Sequence, residues 1–204
     1  MAERPIIFSP PMVKAIIEGR KTQTRRVLRH PHAVIETNAP CPLGKPGDRL
    51  WVRERHCFLD VSKSAMSQFP LGPENNNARG PDVWNLSIEY SDGTQDETSV
   101  EGEKPKQTRA RGETRWRPGI HMPRWACRLV LEITNVRAER LQDISVWDCE
   151  AEGCGHVMPK SAQEVYRELW DSLNAKRGFG WETNPWVWVI EFKRLPHISA
   201  LATS

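Results

Sequence analysis

Gly19-Arg20-Lys21-Thr22-Gln23-Thr24-Arg25-Arg26 decides how this chain is read. It follows a run in which Met12, Val13, Ala15, Ile16 and Ile17 recur at helical spacing behind Pro10-Pro11. Proline at a helix start and glycine just past its end is the asymmetry of a short, well-punctuated helix. The residues after Gly19 therefore leave a helix terminus carrying an amine, two hydroxyls and three guanidiniums. A solvated turn has no need of that mixture, whereas a pocket that grips a carbonyl or a polyanion does. In a regular strand Lys21 and Thr24 would face opposite ways, so their convergence requires a kink, which Gly19 permits.

Charge is distributed unevenly around this segment. Across 204 residues the net charge is only +3, too mild to argue for nucleic acid by itself. Lys14 to Arg29, however, holds six cations against Glu18, and Lys104 to Arg117 holds six against Glu113. Two such segments converging on one face would bind phosphates; lying apart, they are solvated loops. The five cysteines (Cys41, Cys57, Cys127, Cys149, Cys154) are odd in number and irregularly spaced. Glu3 and Arg4 interrupt any apolar leader, so a reduced, cytoplasmic protein with free thiols is expected. No run approaches the ~18 apolar residues of a membrane span, so no membrane partner is expected.

Further along, Gly44-Lys45-Pro46-Gly47-Asp48 is a turn leading into a strand over Arg49 to His56. Ser62 to Pro81 is poor in apolar residues and reads as an exposed, mobile loop, and Trp84 to Ser91 as a short strand. The stretch onward to Arg117 is polar and charged. Alternation from Trp125 to Val136 marks a long strand, and Asp143 to Glu152 a short capped helix. Ser161 to Ala175 is a helix opened by a Ser161/Glu164 capping box. Trp186 to Phe192 is apolar on both faces, as a central strand would be. The fold class expected is α+β: a curled, mostly antiparallel sheet with about three helices.

The Gly-Arg-Lys-Thr-x-Thr-x-Arg helix exit, the Gly47-Asp48 turn into a strand, Leu141 to Ser145, Ala151 to Gly153 and the strand Trp186 to Arg194 together resemble the ASCH-domain family of the PUA-like superfamily. The wording of "GDRLWVRE", "HMPRWA" and "LWDSLNAKRG" is similar to the larger ASCH proteins of phages. The resemblance implies a PUA-like curled antiparallel β-barrel with flanking helices in a single domain over 1–204, with 58–118 as a long insertion. It further implies either RNA binding or the amide hydrolysis of the bacterial N(4)-acetylcytidine amidohydrolases. That group's lysine and threonine fall on Lys21 and Thr24, and its glutamate on Glu152. The insertion and the Cys149-Glu150 pair depart from the smaller members.

The residues permit that chemistry. Thr24 can attack an acyl carbon if a base takes its proton, Lys21 can serve as base or as oxyanion donor, and Glu152 can orient Lys21 or move protons. The bland alternative is that Lys21 and Thr24 only join a helix to a strand, with Glu152 paired to an arginine. Arg20, Arg25, Arg26, Trp51, Arg53, Arg115, Trp116 and Arg117 are the candidate substrate or nucleic-acid contacts, with Trp84 and Trp125 as further stacking candidates. The expected partner is a modified nucleoside or RNA, with single-stranded nucleic acid as an alternative. Lys, Glu and clustered arginines also suit a nuclease, which nothing singles out. No cofactor is expected. Zinc at Cys149, Cys154 and His156, with Cys127 or His121, is weighed and set aside because no Cys-x-x-Cys pair is present.

Overall fold

The computed structural model describes residues 1–31, 39–63, 83–101, 116–155 and 158–196. Its elements are β1 (Glu3–Ile7), α1 (Pro10–Ile17), β2 (Gln23–Val27), β3 (Arg49–Arg53), β4 (His56–Lys63), β5 (Val83–Tyr90), β6 (Gln95–Glu101), β7 (Val130–Arg140), α2 (Val146–Ala151), α3 (Ala162–Asn174) and β8 (Trp186–Arg194). They fall into two compact units. One comprises Met1–Ile6, Pro11–Val52 and Leu129–Pro196, the other Ile7–Pro10 and Arg53–Arg128. Residues 58–118, the expected insertion, lie inside the second.

The first unit is built on a five-stranded sheet in the order β1-β3-β7-β8-β2. The α+β expectation holds. The order is open, with β1 and β2 at its two edges, rather than a closed ring of strands. β8 lies between β7 and β2, antiparallel to both, which explains its apolar faces: Val187, Val189, Ile190 and Phe192 are all buried. Helix α3 packs Tyr166 and Trp170 into a core with Leu141, Ile144, Cys149 and Val189. The expected capping box of Ser161 with Glu164 opens α3, and a second, Ser145 with Asp148, opens α2.

Several strand limits differ from the sequence reading. Arg124–Ala126 forms a 3₁₀ turn, so the long strand starts only at Val130 and runs on to Arg140. Leu50, Trp51 and Val52 are all buried, so β3 shows no alternation to read. β1 and β6 were not expected, being short or polar, and pairing supplies what their sequences do not advertise. β6 matches β5 over Val83↔Glu101 to Glu89↔Gln95. Of the expected Ser62–Pro81 loop, Ser62 and Lys63 belong to β4, and 64–81 lie outside the described residues.

The second unit is a β4-β5-β6 sheet around Phe58, Ile88, Tyr90, Met122 and Ala126. Tyr90 Oη donates to the Ala126 carbonyl (3.1 Å), and the Arg128 guanidinium sits 3.9 Å from the Tyr90 ring centroid. Arg128 also grips the buried Glu54 through two bonds (2.9 and 2.8 Å) and Asp92 through one (2.9 Å). His56 is wholly buried beside this cluster, its Nδ1 3.2 Å from the Glu54 carbonyl and its Nε2 without a hydrogen-bond partner among the described residues.

Burial, with lesser repulsion from Arg117 and His121, lowers the His56 pKa against the opposing pull of the Glu54 carbonyl. The unfolded chain therefore takes up a proton near the ordinary value of about 6.5 that the folded chain refuses. The stability this group contributes is complete above that pH and is lost as pH falls below it, by about 1.4 kcal/mol per unit of depression. A ring-proton NMR titration is expected to show His56 titrating below 6.5. A midpoint at or above 6.5 contradicts this.

Candidate active site

Two helix stops build the site. α1 ends with Gly19 at φ +75°, and the Arg20 N–H bonds back to the Ala15 carbonyl (2.9 Å). α2 ends the same way, with Gly153 at φ +86° and the Cys154 N–H on the Cys149 carbonyl (2.9 Å). This is the glycine-capped reversal in which the last carbonyls of a helix are satisfied by the turn itself. The two stops lie against each other. The Thr22 N–H donates to the Ala151 carbonyl (2.8 Å), and Lys21 and Glu152 form an isolated antiparallel bridge. A Cβ on Gly153 would come within 3.2 Å of the Ala15 Cβ and 3.4 Å of the Lys21 Cβ. Glycine is thus required at 153 for two reasons, its backbone conformation and the close approach of α1.

This packing delivers one charge from each stop. Lys21 Nζ donates to the Glu152 carboxylate at 2.5 Å and to the Glu152 carbonyl at 2.9 Å. The side chains are 0% and 4% exposed. An ammonium removed from water needs such partners, and the carbonyl at the end of α2 adds the favourable negative end of a helix.

Behind the pair stands an alternating network. Arg25, fully enclosed, places Nη1 3.5 Å from the other Glu152 oxygen, Nε and Nη2 on Glu139 (3.1 and 2.6 Å) and Nη2 3.4 Å from Asp148. Asp148 also accepts from Gln23 Nε2 (2.9 Å) and from Arg137 (3.3 Å). Arg137 bonds in addition to Glu139 (3.0 Å) and Glu191. Burial works against charge on Asp148, but the bonds from Gln23 and Ser145 and the charge of Arg25 bring its carboxyl down to about 2. Tyr166 is buried in the same field. Burial first, then the Glu152 charge, holds its phenol well above the ordinary tyrosine range, so it stays protonated. The Cys149 and Cys154 thiols are pushed up to about 11, foremost by burial. As unreactive thiols they are packing groups.

The other sequence candidates fall in different places. Thr24 is buried on β2, paired with Ile190. Arg20 is exposed, bonded to Glu18 and reaching the Gly153 carbonyl (3.5 Å) at the rim of the two stops. Arg26 sits opposite Trp188, its pKa lowered chiefly by burial and further by Arg177. Trp51 is buried in the first unit, at 8% exposure. Arg53, Trp116 and Arg117 belong to the second unit, where Arg55 lies over Trp116 (5.1 Å) and Arg117 over Phe58 (6.0 Å). Trp125 packs there on Phe58. Arg115, the segment 102–115, His156 and the Trp84 side chain lie outside the described residues. Among the described residues no three His, Cys, Asp or Glu side chains are grouped to hold a metal ion, and no helix is long and apolar enough to cross a membrane.

Sequence reasoning missed Glu139, Asp148, Arg137 and Tyr166 as parts of this site. Only Asp148 carried a local signal, three residues after Ser145 as a capping box; the pairing of Arg25 with Glu139, 114 positions away, leaves none.

The chain is similar in structure to an ASCH domain. That domain, from Lactobacillus crispatus JV V101, is 12% identical, with 95% of this chain and 79% of that one covered and a TM-score of 0.44. A protein from Enterococcus faecalis V583 is 10% identical, with 100% of this chain and 86% of that one covered and a TM-score of 0.45. No family model and no curated protein matches the chain.

The two glycines give a test of the packing. Gly19→Ala meets nothing within 4 Å and should cost only the left-handed backbone penalty, about 1–2 kcal/mol. Gly153→Ala carries that penalty and also the Ala15 and Lys21 contacts, so its unfolding midpoint in urea should fall further. Equal losses would show that α1 and α2 do not meet as described.

Proposed function

We propose that the chain hydrolyses an amide on a modified nucleoside or nucleotide, with N(4)-acetylcytidine as the test case. The observation that supports this is the enclosed Lys21–Glu152 pair, 2.5 Å apart and 131 residues apart in sequence. A buried pair of this kind is often neutral or unfavourable for stability, so a chemical role gives it a reason to be kept.

The ammonium of Lys21, with a carboxylate already against it, acts as donor rather than base and stabilises the carbonyl oxygen as it becomes an oxyanion. Glu152 receives the proton from the attacking oxygen and returns it to the departing amine. With Thr24 as attacker, its oxygen bonds to the acyl carbon and the amine leaves. Water, deprotonated by Glu152, then cleaves the resulting ester and restores the hydroxyl. The net change is amide plus water to carboxylic acid plus amine. Arg20 at the rim and Arg26 within offer positive charge for a phosphate or a polarised base.

A second reading, a non-catalytic binder of RNA or single-stranded nucleic acid, is favoured by the Arg55–Trp116 stack of the second unit. Cation–aromatic pairs of this kind accept nucleobases and phosphates with little sequence preference.

Acetate release from N(4)-acetylcytidine separates the two. Lys21→Ala and Glu152→Ala should each lower kcat/KM by about 10²–10³, with Thr24→Ala similar if it is the nucleophile. A wild-type protein that releases no acetate but binds single-stranded RNA, with a salt slope of about 0.7 per phosphate contact, supports the binder instead.

A further inference from the structure

We infer that Asp148 and Arg25 are positioning residues that hold the Glu152 carboxylate on Lys21, an inference that rests on the Lys21–Glu152 pair being the working pair. Each Asp148 oxygen has two duties. Oδ2 accepts from the Ser145 N–H (3.2 Å) and hydroxyl (2.8 Å), closing the cap of α2, and lies 3.4 Å from Arg25 Nη2. Oδ1 accepts from Gln23 Nε2 (2.9 Å) and Arg137 Nη2 (3.3 Å). The start of α2 is thereby pinned to β2 and β7.

Glu152 lies at the other end of α2, and a helix this short transmits such a pin directly. Arg25 completes the hold from the side. Its Nη1 faces Glu152 Oε1 at 3.5 Å while Lys21 takes Oε2, so the carboxylate is addressed by one cation on each oxygen. Glu139, bonded to Arg25 and to Arg137, fixes the guanidinium plane in turn. A buried carboxylate with both oxygens engaged cannot rotate away from the ammonium without leaving a charge unpaired. Arg25 is the member of this network that reaches Glu152, and Glu139 and Asp148 hold Arg25 in place to do so.

The test compares Asp148→Asn with Ser145→Ala. Both weaken the cap of α2, but only the first removes charge from the network. The readout that needs no turnover is the ¹H–¹⁵Nζ NMR signal of Lys21, whose ammonium protons exchange slowly while the pair is closed. Asp148→Asn is expected to speed that exchange at least tenfold and, in the acetate assay, to lower kcat with KM little changed. Ser145→Ala should lower the unfolding midpoint and leave the signal in place. Arg25→Lys, which keeps the charge but not the fork, should behave as Asp148→Asn does. The inference is overturned if wild-type Lys21 gives no protected signal, or if Asp148→Asn and Ser145→Ala affect it alike. If the wild type hydrolyses nothing while the Lys21 signal responds as described, the hydrolase reading fails and the positioning stands.

Discussion

The first unit is organised around one constraint: an ammonium and a carboxylate, both taken out of water, must stay together. Lys21 and Glu152 satisfy it at 2.5 Å with almost no exposure. An uncompensated charge in such a place costs several kcal/mol, so whatever keeps the two aligned is under strong structural demand. That demand accounts for the matching glycine stops of α1 and α2, for the lack of room at Gly153, and for the backbone bridge between the charged residues themselves. It accounts too for the surrounding ring of Arg25, Glu139, Asp148 and Arg137, in which every cation faces carboxylates.

Function and fold share these residues. Asp148 caps a helix and belongs to the charge network; Gly153 ends the same helix and makes space for Lys21. Glu152 is both the C-cap of α2 and the acceptor of the ammonium. The catalytic proposal therefore concerns groups that lie in the turns after α1 and α2 and are held by the backbone bridge between those turns. The second unit carries a different chemistry. Its core holds a neutral histidine and a buried Glu54–Arg128 pair, and stacked arginines line its aromatic rings.

Much of this was legible in the sequence where the signal is local. Pro10, Gly19 and the apolar spacing gave α1; Ser161 and Glu164 gave the start of α3; the two-faced apolar run gave β8 as an inner strand. Lys21 stood out in its own segment, but Glu152 was joined to it only through a resemblance, because no spacing rule connects positions 131 apart. The partners of Arg25 were not legible at all. Arginine in a basic run reads as a surface cation, and only the fold reveals that Glu139 and Asp148 enclose it. Strand β6 was hidden for a related reason: its polar sequence takes its order from pairing with β5, not from its own apolar content.

The central claim is that Lys21 and Glu152 are energetically coupled as a buried pair, and a double-mutant cycle on folding stability measures that coupling directly. Lys21→Met alone and Glu152→Leu alone each strand a charge and should cost about 3–5 kcal/mol in urea unfolding. The double variant strands none and should cost well under the sum, with a coupling energy of about 2 kcal/mol or more. Additive losses would mean that the two charges do not depend on one another, and the account of the site built on them would be wrong.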